Sequence, residues 1–171
     1  MFRALFAALT AGPKRGQALF ELAVAEAQRP EWFVEGEVPD TVNGRFAVLA
    51  TIVALLSIRL EGEGAEGAQA TVDLTERMVE SLDAELREMG LGDPTLGKQV
   101  RRLIGAVGGR VERWREITKS DGSWSEEVRR SLYLDEPAEP DAVAYSESAL
   151  KALWQRLAGT DLAELCDGTM R

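Results

Sequence analysis

The sequence predicts an all-α, single-domain bundle of about six helices, and three observations predict it. Apolar residues recur at helical spacing in segment after segment, while no stretch alternates apolar and polar residues for the length of a strand. Glycine and proline punctuate these segments where helices should end, at Gly12-Pro13, Arg29-Pro30, Gly36–Asn43, Met89–Pro94 and Asp135–Asp141. With 171 residues, one domain buries a sizeable core without disulfides or metal.

The elements follow in order. Phe2, Leu5, Phe6 and Leu9 share one helical face, so residues 1–15 read as an amphipathic segment preceding a helical domain at 16–171. A docked or frayed amphipathic start is favoured over contact with a membrane surface. Leu19, Leu22, Ala23 and Ala27 form a stripe that ends before Pro30. Trp32 and Phe33 then anchor a turn against the core. Gly36–Asn43 reads as a loop and cap. Phe46–Ile58, between Arg45 and Arg59, is the most hydrophobic segment. Its 13 residues make a helix of about 20 Å, short of the roughly 30 Å hydrocarbon core of a bilayer. A central buried helix is expected.

Glu61–Gly67 reads as a polar hinge, and Ala68–Met89 as an amphipathic helix with Val72, Val79, Leu82, Leu86 and Met89 on its apolar face. A tight corner follows. Gly90 suits a left-handed helix end, and Asp93-Pro94-Thr95 starts the next helix. There, Val100, Leu103, Ile104, Val107, Val111, Trp114 and Ile117 form an i, i+3, i+4, i+7 stripe. A short helix at Glu126–Tyr133 and a longer one at Val143–Ala158, with Leu150, Leu153, Trp154 and Leu157 inward, complete the bundle. Thr160–Leu165 adds a last turn.

Charge and chemistry narrow the function. The formal charge of −9 opposes general nucleic-acid binding, including by a helix-turn-helix built on the Gly90–Thr95 corner. The chain has no histidine, so the commonest general base and metal ligand are missing. Cys166 stands alone near the end. The acid pairs Glu76/Glu80 and Glu85/Glu88 read as solvated helix faces, and the acidic Glu61–Gly67 loop does not make a phosphate cradle. Neither an enzyme, a metal site nor a cofactor is expected.

Charge is nevertheless sharply segregated. From Glu61 to Asp93 ten acids face Arg77 and Arg87, whereas from Gly97 to Arg115 six cations accompany Glu112 alone. The short corner predicts neighbouring antiparallel helices whose charged rows satisfy each other, with a partner-binding basic stripe as the alternative. Gly105, Gly108 and Gly109 each cost this helix about 1 kcal/mol relative to alanine. Close helix approach and the floor of a binding groove account for them equally well.

Several stretches resemble the ubiquinol–cytochrome c chaperones. They include Pro39-Asp40-Thr41, Gly44-Arg45-Phe46, Arg59-Leu60, Leu86-Arg87-Glu88-Met89-Gly90-Leu91-Gly92-Asp93, Lys98, Gly109-Arg110 and Arg129-Arg130-Ser131-Leu132-Tyr133. Relative to that family, Ile52 replaces a usual histidine, Ala54 lies where a tryptophan is common, Val107-Gly108 replace aromatics and Ser131 replaces an asparagine. The resemblance implies an assembly factor that holds newly made cytochrome b during biogenesis of respiratory complex III. It also implies a cytoplasmic protein, peripheral at the inner face of the membrane and near the ribosome. Fungal and animal relatives work with a small helper subunit, which nothing in this chain indicates.

The expected partner-binding set is Arg59, Arg87, Gly90, Gly92, Asp93, Lys98, Arg101, Arg102, Gly105, Gly108, Gly109 and Arg110. In this reading a groove runs between the Gly105–Gly109 face and the acidic helix, with Arg59, Arg101, Arg102 and Arg110 clamping its rim. A regulatory or scaffold bundle with an unrelated protein partner is the competing expectation.

Overall fold

The computed structural model describes residues 14–88, 90, 93–120 and 123–170; the amphipathic run Phe2–Leu9 lies outside them. The described residues form eight α-helices and one 3₁₀ turn, without a strand. They are α1 (Gln17–Ala27), α2 (Glu31–Val34), α3 (Val42–Leu60), α4 (Gly64–Glu88), α5 (Asp93–Lys119), α6 (Trp124–Leu132), α7 (Pro140–Gly159) and α8 (Leu162–Cys166). Two of these, α2 and α8, are single turns of four and five residues. The six longer helices match the expected bundle.

The hydrophobic segment became the axis of the molecule. α3 touches α1, α4, α5, α6 and α7, with α5 as its main neighbour. Val48, Ala54 and Leu55 are completely buried, and Ile52 is 1% exposed. Ile52 and Ala54, two departures from the family wording, are therefore packing residues of the core. The polar side chains of this helix satisfy themselves locally. Thr51 and Ser57 donate to the carbonyls of Ala47 and Val53, each at 2.8 Å, so burying them leaves no unpaired hydroxyl.

Both ends of α3 are tightly built. Thr41 caps the first turn by accepting from the Gly44 amide at 3.1 Å. At the other end Arg59 donates to the carbonyls of Leu157 at 2.9 Å and Thr160 at 2.8 Å, closing the end of α7, and pairs with Glu63. The carboxylate of Glu26 joins the α1 end to α7 by accepting from Arg29 and Arg156, both at 2.8 Å. Tyr133 ties the loop after α2 to α7. Its hydroxyl proton is shared by the carbonyls of Gly36 and Ala142, and Ser146 lies 2.9 Å away.

Two sequence expectations change here. Glu61–Gly67 is not a hinge: Glu61–Glu63 form the 3₁₀ turn and α4 begins at Gly64. Gly67 sits against the end of α3, where a Cβ would lie 2.0 Å from the Leu60 carbonyl oxygen. Here glycine permits close packing within a helix rather than a bend. The apolar face of α4 also differs. Ala70, Leu74, Met78 and Leu82 are buried at a strict four-residue step, while Val72 is 51% exposed. The step of four keeps one stripe on α3 and α5, and Val72 falls off it.

Candidate functional site

The twelve expected binding residues divide into three groups. Arg59 and Arg110 belong to the architecture. Arg59 closes α7 as described, and Arg110, only 5% exposed, donates to the carbonyls of Ser131 at 2.8 Å and Ala106 at 3.2 Å. The expectation that both clamp a groove rim is corrected, because both are held inside the fold, Arg59 by two backbone carbonyls and Glu63 and Arg110 by two backbone carbonyls. Burial lowers the pKa of Arg110; nearby Arg113 acts in the same direction and Glu127 opposes it.

Arg110 is part of a buried lattice joining α5 to α6. Trp114, fully buried, donates through Nε1 to the Ser131 hydroxyl at 3.0 Å, and Ser131 donates to Glu127 at 2.6 Å. Glu127 also accepts from Arg113 at 2.8 Å. The Trp114 ring meets Trp124 edge-on at 5.1 Å. Gly109-Arg110 and Arg130-Ser131, which looked like parts of a binding signature, are adjacent here because they fasten two helices together.

A second group shapes the α4–α5 corner. Gly90 adopts φ of 85°, the left-handed geometry expected of a helix end, and its amide donates to the Arg87 carbonyl at 2.9 Å. The Arg87 guanidinium meets Asp83 at 2.7 Å. α5 starts at Asp93, while Gly92 lies outside the described residues.

The third group is on the outside of α5. Lys98, Arg101, Arg102, Gly105 and Gly108 are exposed, opposite the buried Val107, Arg110 and Trp114; Gly109 is half-buried. A Cβ at Gly105 or Gly108 would touch nothing within 4 Å, so these two residues permit no close helix approach within the chain. They also do not floor a groove against α4, because they lie on the face turned to solvent.

The two charged rows do not neutralise each other along their length. Among the described residues, α4 acids pair with Lys14, Arg15, Arg77 and Arg87. The acidic and basic runs meet at one end, where Arg115 forks onto Glu61 at 2.5 and 2.9 Å. That hydrogen bond holds the Glu61 carboxyl below the usual glutamate range, against a smaller opposing effect of burial. Lys98, Arg101 and Arg102 have no ion pair among the described residues.

Sequence reasoning missed a cleft of about 950 Å³ between α1, the start of α4 and α8. Leu19, Ala70, Leu162 and Ala163 supply apolar lining, while Glu63, Glu66, Asp73 and Asp161 make its charge acidic against Arg15. Asp73 is nearly buried, accepting from Gln69 at 2.9 Å and facing Arg15 at 3.3 Å. Cys166 also lines this cleft, and burial followed by the charge of Asp167 raises its thiol pKa. The acidic Glu61–Gly67 stretch was the available signal, but nothing local showed that the last helix would close over it. Among the described residues no three His, Cys, Asp or Glu are grouped to hold a metal ion, and no helix is long and apolar enough to cross a membrane.

Comparison with known proteins gives this architecture its context. The family model described as ubiquinol-cytochrome C chaperone matches residues 35–171. The chain belongs to that family. It is thus an assembly chaperone of respiratory complex III, with most of its length inside the match. The fold is similar to the crystal structure of the Cbp3 homolog from Brucella abortus, with a TM-score of 0.77 and 22% sequence identity. That alignment covers 100% of this chain and 97% of the other. No curated protein matches the sequence.

Proposed function

We propose that this chaperone holds newly made cytochrome b without covalent chemistry or ATP, and releases it as the subunit enters the maturing complex. Membership of the ubiquinol–cytochrome c chaperone family over residues 35–171 is the observation that carries the reading. An unassembled membrane subunit exposes apolar helices that aggregate unless they are covered.

The acidic cleft suits such a client. The ends of transmembrane helices on the cytoplasmic side are enriched in Lys and Arg. A short apolar segment with basic flanks matches apolar walls rimmed by Glu63, Glu66, Asp73 and Asp161. The chaperone in this reading works at the inner face of the membrane, close to the ribosome, where the client emerges. Maturing subunits then displace it by competing for the same segment.

The test is capture of the client during arrested translation. Affinity purification of the tagged chain should recover nascent cytochrome b with ribosomes. Filling the cleft with Ala65→Trp and reversing its rim with Glu66→Lys, both at exposed positions, should cut recovery about tenfold, the equivalent of about 1.4 kcal/mol. Deleting the gene should lower the reduced cytochrome b signal while other respiratory complexes persist. Normal cytochrome b spectra with capture of an unrelated protein would replace this reading with a scaffold role.

A further inference from the structure

The outer face of α5 has an order that client capture in the cleft leaves unused. Counting from Val107, Lys98 lies nine residues before and Glu116 nine after; Arg102 lies five before and Glu112 five after; Gly105 and Gly109 lie two on either side. All except the half-buried Gly109 are exposed. Arg101 is exposed beside Arg102, and Gly108 beside Gly109. Neither Glu112 nor Glu116 has an ion pair among the described residues; both lie near Arg115 and raise its pKa, but that guanidinium is already bound to Glu61.

The arrangement is unfavourable for a helix standing alone. Lys98 and Arg102 are like charges at i, i+4, which repel. Three glycines within five residues add a cost of about 1 kcal/mol each. Packing inside the chain does not explain Gly105 and Gly108, which face open space. The face itself carries its own complement. From these charges we infer that the chain self-associates through two α5 helices crossing antiparallel near Val107.

In that crossing Lys98 of each copy comes level with Glu116 of the other, and Arg101 and Arg102 come level with Glu112. The glycines lie at the centre, where the absence of side chains lets the two helix axes approach closely. A two-fold axis requires such a self-complementary patch. A parallel crossing would oppose like charges. A wholly acidic partner or an anionic lipid surface would meet Glu112 and Glu116 as well as the cations, and the chain's net charge of −9 adds to that repulsion. Because one helix face supplies the contact, the interface falls at the small end of the size range and the dimer is weak and salt-sensitive.

Sedimentation equilibrium of the full chain, without client, tests this. The parent should be a reversible dimer at low ionic strength, and raising the salt to about 0.5 M should weaken association at least tenfold. The variant K98E/R101E/R102E, with an acidic face, and the variant E112K/E116K, with its acidic half reversed, should each be monomeric. Their equimolar mixture should form a heterodimer, which also shows that both are folded. Gly108→Leu should weaken the parent dimer and keep its helical circular dichroism. A parent that stays monomeric at low salt and high concentration overturns the inference. So does self-association that survives in either charge variant, or a mixture that fails to pair.

Discussion

At Gly44 and Gly67 a Cβ would lie 1.9 Å from the Pro39 carbonyl oxygen and 2.0 Å from that of Leu60, whereas at Gly105 and Gly108 it would touch nothing within 4 Å. All four glycines sit in helices, so all weaken the local backbone in the same way. At the two ends of α3 that cost is offset inside the fold, because the capped loop at Pro39 and the start of α4 approach closer than any side chain permits. At Gly105 and Gly108 of α5 nothing among the described residues offsets it. A glycine required by packing and one left over from packing look alike in a helical sequence, and the surrounding space separates them.

The largest expected effect tests the packed side of this contrast. Gly44→Ala forces a methyl into the Pro39 backbone and should destabilise the chain by about 3 kcal/mol, read by urea denaturation. A change below about 0.5 kcal/mol would mean that the loop yields and the packing is loose. The exposed side should respond with the opposite sign. Gly105→Ala and Gly108→Ala should each stabilise the monomer by about 1 kcal/mol, as alanine does in an open helix. Destabilisation in the monomeric state would place something against that face.

The smallest effect concerns the Glu61–Arg115 junction between the charged runs. The Glu61 carboxyl is held below its ordinary range by Arg115, so its contribution is present above the unfolded glutamate pKa and fades as pH falls through the lower folded value. Both partners are partly exposed, which limits the pair to about 0–1 kcal/mol. Glu61→Gln should therefore lower stability slightly at neutral pH and leave it unchanged in acid, where the parent has already lost the pair. An equal loss at both pH values would assign the effect to packing rather than charge.

Much of the fold was legible in the residues. The Phe46–Ile58 run predicted the buried axis, and the stripe from Val100 to Ile117 predicted the inner side of α5, since apolar periodicity reports burial directly. The expected face of α4 was partly wrong. Val72 was placed on it, because a helix with several apolar positions offers two overlapping stripes and only its neighbours select one. The candidate site was less legible. Arg110 looked like a free cation in a basic run, yet Ser131, 21 residues away, claims it. Local spacing cannot show a partner so distant in sequence.

The amino-acid sequence by itself determined the all-α class, the central helix, the Gly90 corner and the family, because each depends on residue type and local order. Tertiary structure decided the remaining relations. It brought Arg59 to the end of α7 and Arg110 to Ser131, closed an acidic cleft between α1, α4 and α8, and left Lys98, Arg101, Arg102, Gly105 and Gly108 facing outward. The physical reason is that charge and glycine take their meaning from what stands within a few ångströms. In this bundle those neighbours come from helices far apart in the chain.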